Sequence, residues 1–207
     1  MTSFRSAALA VVGLAAFLAL WEAAPRLDLI NPAFLPPPSS IPAAFAREIS
    51  NGAWPTAVVE SLSHYMVGLG AGALAGVALG LATGMFAWFD SLTAGIVRLL
   101  RPIPGLAWVP FAIIWFGVQP SAAVFIIAIG VFWIVFFATQ GAVRGVDRDL
   151  IEVAQAFGFR GPLARLTKIL LPAATPGILV GLRTALGQAW MAVVAAEIFG
   201  VPGIGAG

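Results

Sequence analysis

Few residues in this chain of 207 could do chemistry by themselves, and their types narrow what that chemistry could be. There is no cysteine and a single histidine, His64, so neither a thiolate metal site nor a histidine cluster can be built. No glycine-rich loop ends in Gly-Lys-Ser or Gly-Lys-Thr, so a phosphate cradle of the P-loop form is absent. No Ser-His-Asp set or carboxylate pair falls in a plausible site within an apolar stretch, which leaves enzyme chemistry without candidate residues. Three polar features remain. Glu60 and His64 stand one helical turn apart, a spacing that suits a hydrogen-bonded pair better than a proton relay. Arg183 lies in the middle of an apolar run, where a charge facing lipid is unfavourable by about 3 kcal/mol or more. It must face protein or water, and both a structural pairing and a place on a transport path stay open. The third feature is a charged island, Arg144 to Lys168, reading RGVDRDLIEVAQAFGFRGPLARLTK between two long uncharged runs.

The island belongs in water at a membrane surface, because its neighbours on both sides are comfortable only in lipid or in a large core. It predicts a short helix. Asp149 as N-cap with Glu152 three residues on has the form of a capping box, and Gly158 supplies a left-handed stop. Leu150, Val153, Ala154 and Phe157 recur at three- and four-residue steps and share one face, which Phe159 extends past the helix end. An apolar face on a helix in water needs a cover, either lipid and the chain's own spans or a partner protein.

The elements that must carry these residues are membrane helices. Hydrophobic residues make up 60% of the chain and charged residues 10%, against about one quarter charged in a soluble domain. The formal charge of +2 leaves no electrostatic footprint for nucleic acid. Residues 1–24 read as an uncleaved first membrane helix, because Glu22 sits too close to the small residues for a good signal-peptide cleavage site. Residues 25–56 form a proline-rich external linker in which Ile41 to Ile49 can make a short amphipathic surface helix. Residues 57–207 hold the remaining spans. The second runs from Val58 to Phe86, with Gly68, Gly72, Gly76, Gly80 and Gly84 on one ridge that admits close approach of another helix. Trp88 to Asp90 mark an interface and a turn. From Pro102 to Val143 there is no charge, and the break at Gly117 to Ser121 divides this length into a hairpin of two spans. The fifth span runs from Ile169 to Glu197, with Gly177, Gly181, Ala185 and Ala189 on a second small-residue ridge.

The fold class expected is therefore all-α: a polytopic helical membrane protein with five visible transmembrane helices and one exposed cytoplasmic helix. Arg144, Arg148, Arg160, Arg165 and Lys168 mark the island as cytoplasmic, and alternation places the amino terminus in the cytoplasm and the linker outside.

The island also carries a resemblance. Glu152-Val153-Ala154, Gly158 and the run KILLPAATPG resemble the glutamate-alanine-alanine loop of type I ATP-binding cassette importer permeases. The flanking text LLRPIPGLAWVPFAIIWFG, GLRTALGQAW and AAEIFG is similar to the branch importing nitrate, sulfonates and taurine. The likeness covers Ala57 to the chain end. It implies that the loop is a coupling helix docking on a separate ATPase subunit, with Leu150, Glu152, Val153, Ala154, Phe157, Gly158, Phe159 and Arg160 as the coupling residues. It further implies a second permease copy, an extracytoplasmic substrate-binding protein, a place in the inner membrane, and ATP used by the partner with no cofactor bound by this chain. Arg183 becomes a candidate for the path of a small anionic solute. Two departures stand out: Val153 replaces the second alanine, and the interval from Gly158 to Pro172 is one residue longer than the family pattern, which would rotate the loop against the next span. Family members continue with a sixth helix, so that helix is expected to be missing here.

Two other readings stay in view. A secondary transporter would need intramembrane acids and internal repeats, of which only Glu197 and no convincing repeat are visible. A scaffold subunit of a membrane complex would use the Leu150 to Phe159 face for docking.

Overall fold

The computed structural model describes residues 2–159 and 161–203. It divides into two compact units, residues Met1–Thr56 and Ala57–Gly207. All regular structure among the described residues is helical.

In the first unit, α1 (Thr2–Arg26) is apolar from Ala7 to Trp21 and ends where Pro25 and Arg26 close its last turn. Its end is tied to the returning chain. Glu22 accepts hydrogen bonds from the Ser39 amide at 3.0 Å and the Ser39 hydroxyl at 2.6 Å, and pairs with Arg26 at 2.5 Å. The Trp21 indole N–H donates to the Pro36 carbonyl at 3.1 Å. A single 3₁₀ turn at Pro38–Ser40 then leads into α2 (Ile41–Ser50), with Pro42 in the first turn, where its missing N–H costs nothing.

The second unit is organised by three long helices. α3 (Ala53–Met85) enters it, and α6 (Pro120–Arg144) and α9 (Leu171–Ile198) complete the group. The glycine ridge of α3 meets α6 within the chain. A Cβ on Gly76 would lie 2.9 Å from the Phe132 carbonyl oxygen and from Val135 Cβ, and one on Gly80 would lie 2.7 Å from Thr139 Cβ. Gly68 faces Ile127 and Gly84 faces Val143 in the same way, so the two helices run parallel and in step. The α6 side of the seam is a row of β-branched residues, Ile127, Val131, Val135, Thr139 and Val143, all buried. Valine and isoleucine hold one main rotamer in a helix and threonine two, so burying them against bare backbone sacrifices little entropy. On the other flank α9 runs antiparallel, with Gly177 against Ala142 and Gly181 against Ala138. α6 is thus the central helix.

Three sequence expectations change. Trp88 to Asp90 do not form a turn: α4 (Ala87–Leu100) begins at Ala87, and Asp90 sits in its first turn, where a carboxylate suits the helix dipole. Asp90 pairs with Arg144 at 2.7 Å and accepts from Gln140 at 3.0 Å, fastening α4 to the end of α6. The stretch from Pro102 to Phe116 is not a full span. Pro102 and Pro104 interrupt the helix, a 3₁₀ turn occupies Gly105–Trp108, and α5 (Val109–Phe116) is short; α4 and this segment together make one span bent by 83°. Among the described residues four helices are long and apolar enough to cross a membrane, or five spans if the bent pair counts as one. The break at Gly117 stands as read, with φ +71°. Finally, Glu60 and His64 make no hydrogen bond. The imidazole turns into the packed seam with a buried, unpaired Nδ1, while the carboxylate stays at the rim.

The seam gives a direct test. Gly76→Ala is expected to destabilise the folded protein by about 1–3 kcal/mol through overpacking, read as a lowered midpoint in thermal unfolding in detergent. Gly70→Ala, where a Cβ meets nothing within 4 Å, is expected to leave the midpoint unchanged or raise it.

Candidate functional site

The island folds into α7 (Arg148–Ala156), a short helix joined to α6 by the three residues Gly145 to Asp147. The N-cap is Asp147, whose side chain accepts from the Asp149 amide at 3.0 Å. The expected capping box of Asp149 and Glu152 does not form, because the helix starts earlier: Asp149 already lies inside the first turn. Glu152 is exposed on the side away from the apolar face and makes no ion pair among the described residues.

The stop is the one expected. Gly158 takes φ +93°, the Gly158 amide donates to Gln155 O at 3.0 Å, and the Phe159 amide donates to Ala154 O at 3.0 Å. This pair of bonds is a Schellman motif, and it turns the chain sharply so that Phe159 returns beside the helix. Arg160 lies outside the described residues.

Leu150, Val153, Ala154 and Phe157 do share a face, and with Phe159 they line an open groove whose opposite wall is Lys168, Ile169, Pro172 and Ala173. The face is uncovered within this chain: Leu150 is 48% exposed and Phe157 78%. Water against side chains of this size is unfavourable by about 1.5–3 kcal/mol per fully exposed residue, so a covering surface would be favoured. The helix is not free to swing. Ile151, which the sequence reading passed over, packs inward on the cluster of Val143, Leu170, Ala174 and Ile178 at the ends of α6 and α9. An apolar residue one position off the exposed stripe was the available signal.

Between α7 and α9 the chain forms a short helix, α8 (Pro162–Arg165), and then a π-helical turn over Leu166–Leu170. The Leu171 amide reaches back to Leu166 O, five residues away, just where Pro172 has no amide to give. A π turn holds about one residue more than an α turn. Beyond it the α9 ridge keeps its seat on Ala138 and Ala142.

Arg183 sits on α9 directly opposite that ridge. It is exposed, about nine residues or 13 Å along the helix from buried Ala174, and has no ion pair among the described residues. Two acids near the spans are engaged elsewhere. Asp90 holds Arg144, and the buried carboxylate of Glu197 accepts from the Ser61 hydroxyl. That bond joins the first part of α3 to the last turn of α9, residues far apart in sequence, and Gly203 packs so closely over it that a Cβ would lie 2.8 Å from Ser61 Oγ.

The chain is similar to known proteins. The model of the family described as binding-protein-dependent transport system inner membrane component matches residues 68–206. The putative aliphatic sulfonates transport permease protein SsuC of Bacillus subtilis is 34% identical over 193 residues, covering 90% of this chain and 67% of its own length. The taurine transport system permease protein TauC of Escherichia coli is 32% identical over 203 residues, covering 94% of this chain and 72% of its own length. This chain therefore spans about two thirds of the length of these relatives. Among solved structures, the MetNI methionine ABC transporter in inward-facing conformations superposes with a TM-score of 0.62 at 24% identity, over 73% of this chain and 76% of that one, a likeness of fold.

The Schellman stop can be tested alone. Gly158→Ala forces an L residue into the left-handed region, at about 1–2 kcal/mol. Amide exchange at Phe157 to Phe159 is expected to accelerate about tenfold, with exchange in α6 and α9 unchanged.

Proposed function

The chain belongs to the family of binding-protein-dependent transport system inner membrane components, and on that premise we propose that it is the permease subunit of an ATP-driven importer. As a multi-pass helical membrane protein it supplies the path, and a separate ATPase subunit supplies the energy; ATP is bound and hydrolysed there and not on this chain. The observation that carries the reading is α7: an amphipathic helix held by Ile151 between the ends of α6 and α9, with its apolar groove uncovered. Leu150, Val153, Ala154, Phe157 and Phe159 form the contact surface for the ATPase, with Gly158 fixing its shape and Glu152 on the opposite side of the helix.

Closure of the ATPase pair moves α7, and α7 moves the two helices that it joins. A switch of this kind needs differential contact in two states, which the packed ends of α6 and α9 can provide by shifting as a unit. Two copies of the chain form the path between them, and an extracytoplasmic binding protein delivers the solute. The island and the amino terminus lie in the cytoplasm, in keeping with the Lys and Arg bias of the loops. The solute is a small anion of the sulfonate class, as the names of the relatives suggest. Arg183 faces the path and meets the anion near mid-membrane, since no acid among the described residues pairs with it.

Two substitutions test this in the assembled complex with its ATPase and binding protein. Phe157→Ala, at an exposed position, is expected to leave insertion and thermal unfolding intact while import coupled to ATP hydrolysis falls at least tenfold. Undiminished import would overturn the coupling role. Arg183→Gln is expected to slow import of an anionic solute about tenfold with basal ATP hydrolysis unchanged, and Arg183→Lys to retain most of the rate.

A further inference from the structure

The segment between α1 and α3 holds a second uncovered apolar face. Ile41, Phe45 and Ile49 recur at four-residue steps along α2 and are 46%, 47% and 47% exposed. Arg47 and Ser50 point to the opposite side by helical geometry, and Glu48 lies at the edge of the stripe. Ten residues of helix make only about 15 Å, too short to cross a bilayer.

What covers this face follows from how the helix is held. Its leading end is fastened to the end of α1, through the bonds from Ser39 to Glu22, from Arg26 to the Ser39 hydroxyl at 3.2 Å, and from Trp21 to Pro36. Its trailing end is joined to α3 by Asn51 and Gly52 alone, a reach of about 7 Å. α1 and α3 both qualify as membrane spans, so both ends of α2 are held where a span meets the bilayer surface. A helix tethered at both ends in this manner lies along the surface rather than projecting from it. Trp54, in the first turn of α3, packs edge-to-face on Phe45 with ring centroids 5.3 Å apart, and tryptophan favours the depth of the lipid headgroups. The helix carries one Arg and one Glu, so it offers no cationic face that would demand anionic lipid.

We propose that α2 is an interfacial helix whose Ile41-Phe45-Ile49 face, with Trp54, inserts at the boundary of headgroups and acyl chains in the leaflet beside the α1 end. It fixes the linker to the membrane by apolar insertion, independent of lipid charge. This rests on the membrane placement of the chain and not on the transport reading, so either can fail alone.

The absence of cysteine allows the test by site-directed spin labelling. Ile41→Cys, Ile49→Cys, Ala43→Cys and Arg47→Cys are labelled singly in the reconstituted protein, with Phe45 retained in all four. Leu14→Cys, in the middle of α1, serves as the lipid-facing reference that selects inserted samples. Collision with oxygen and with a water-soluble nickel chelate is then compared in vesicles of zwitterionic lipid and of zwitterionic lipid with anionic lipid added. Positions 41 and 49 are expected to favour oxygen over the chelate at least fivefold more than positions 43 and 47, equally in both lipids. Equal chelate access at all four positions would overturn the proposal, as would shielding of 41 and 49 from both probes, the mark of a protein covering the face. A contrast that appears only with anionic lipid would overturn the apolar mode of attachment.

Discussion

Everything in the second unit hangs on one contact: bare backbone on α3 against a row of β-branched side chains on α6. In lipid there is no hydrophobic drive between helices, so close van der Waals approach must do the holding. Gly68, Gly72, Gly76, Gly80 and Gly84 provide the approach, and Ile127, Val131, Val135, Thr139 and Val143 fill it. With one flank of α6 settled, the other is free to take the small residues of α9. The polar bonds act at the ends of this group. Arg144 and Gln140 gather Asp90 and the Thr83 carbonyl at one end, and Glu197 takes Ser61 at the other.

This arrangement gives α7 its mechanical setting. It leaves α6 through a short capped link, packs Ile151 on residues from both α6 and the start of α9, and returns through a glycine stop and a π turn. The side chains that fix α7 to the spans are therefore different from those exposed in its groove. That division of labour is what a transmission element requires, since a contact surface can be loaded from outside only if its support is held from inside. On the proposed reading, a push on Phe157 reaches α6 and α9 together, and α9 carries Arg183.

Features with a regular spacing were legible in the sequence. The two small-residue ridges and the shared face of Leu150, Val153, Ala154 and Phe157 follow from helical period, the stop at Gly158 from glycine's access to the left-handed region, and the structure places them as read. The partner of the glycine ridge was not read, although the β-branched row on α6 has the same four-residue step. Local competition decided the misreadings. Asp147 and Asp149 could both cap a helix, and the choice depends on where α6 ends rather than on either residue. Trp88 to Asp90 suggested a turn by composition, yet Asp90 favours a first helical turn once Arg144 is close by. Prolines at 102 and 104 broke one span into a bent pair, which hydropathy averages cannot resolve. The Ser61 to Glu197 bond joins distant residues and has no local signature.

The central claim is that the α7 groove is the surface through which ATP hydrolysis reaches the spans. It is tested most directly by disulfide crosslinking of Phe157→Cys to a cysteine placed in the docking groove of the cognate ATPase subunit, with and without ATP. The account predicts a strong crosslink whose yield changes when ATP binds. No crosslink in either state, from a chain shown to be inserted and folded with its ATPase bound, would contradict it.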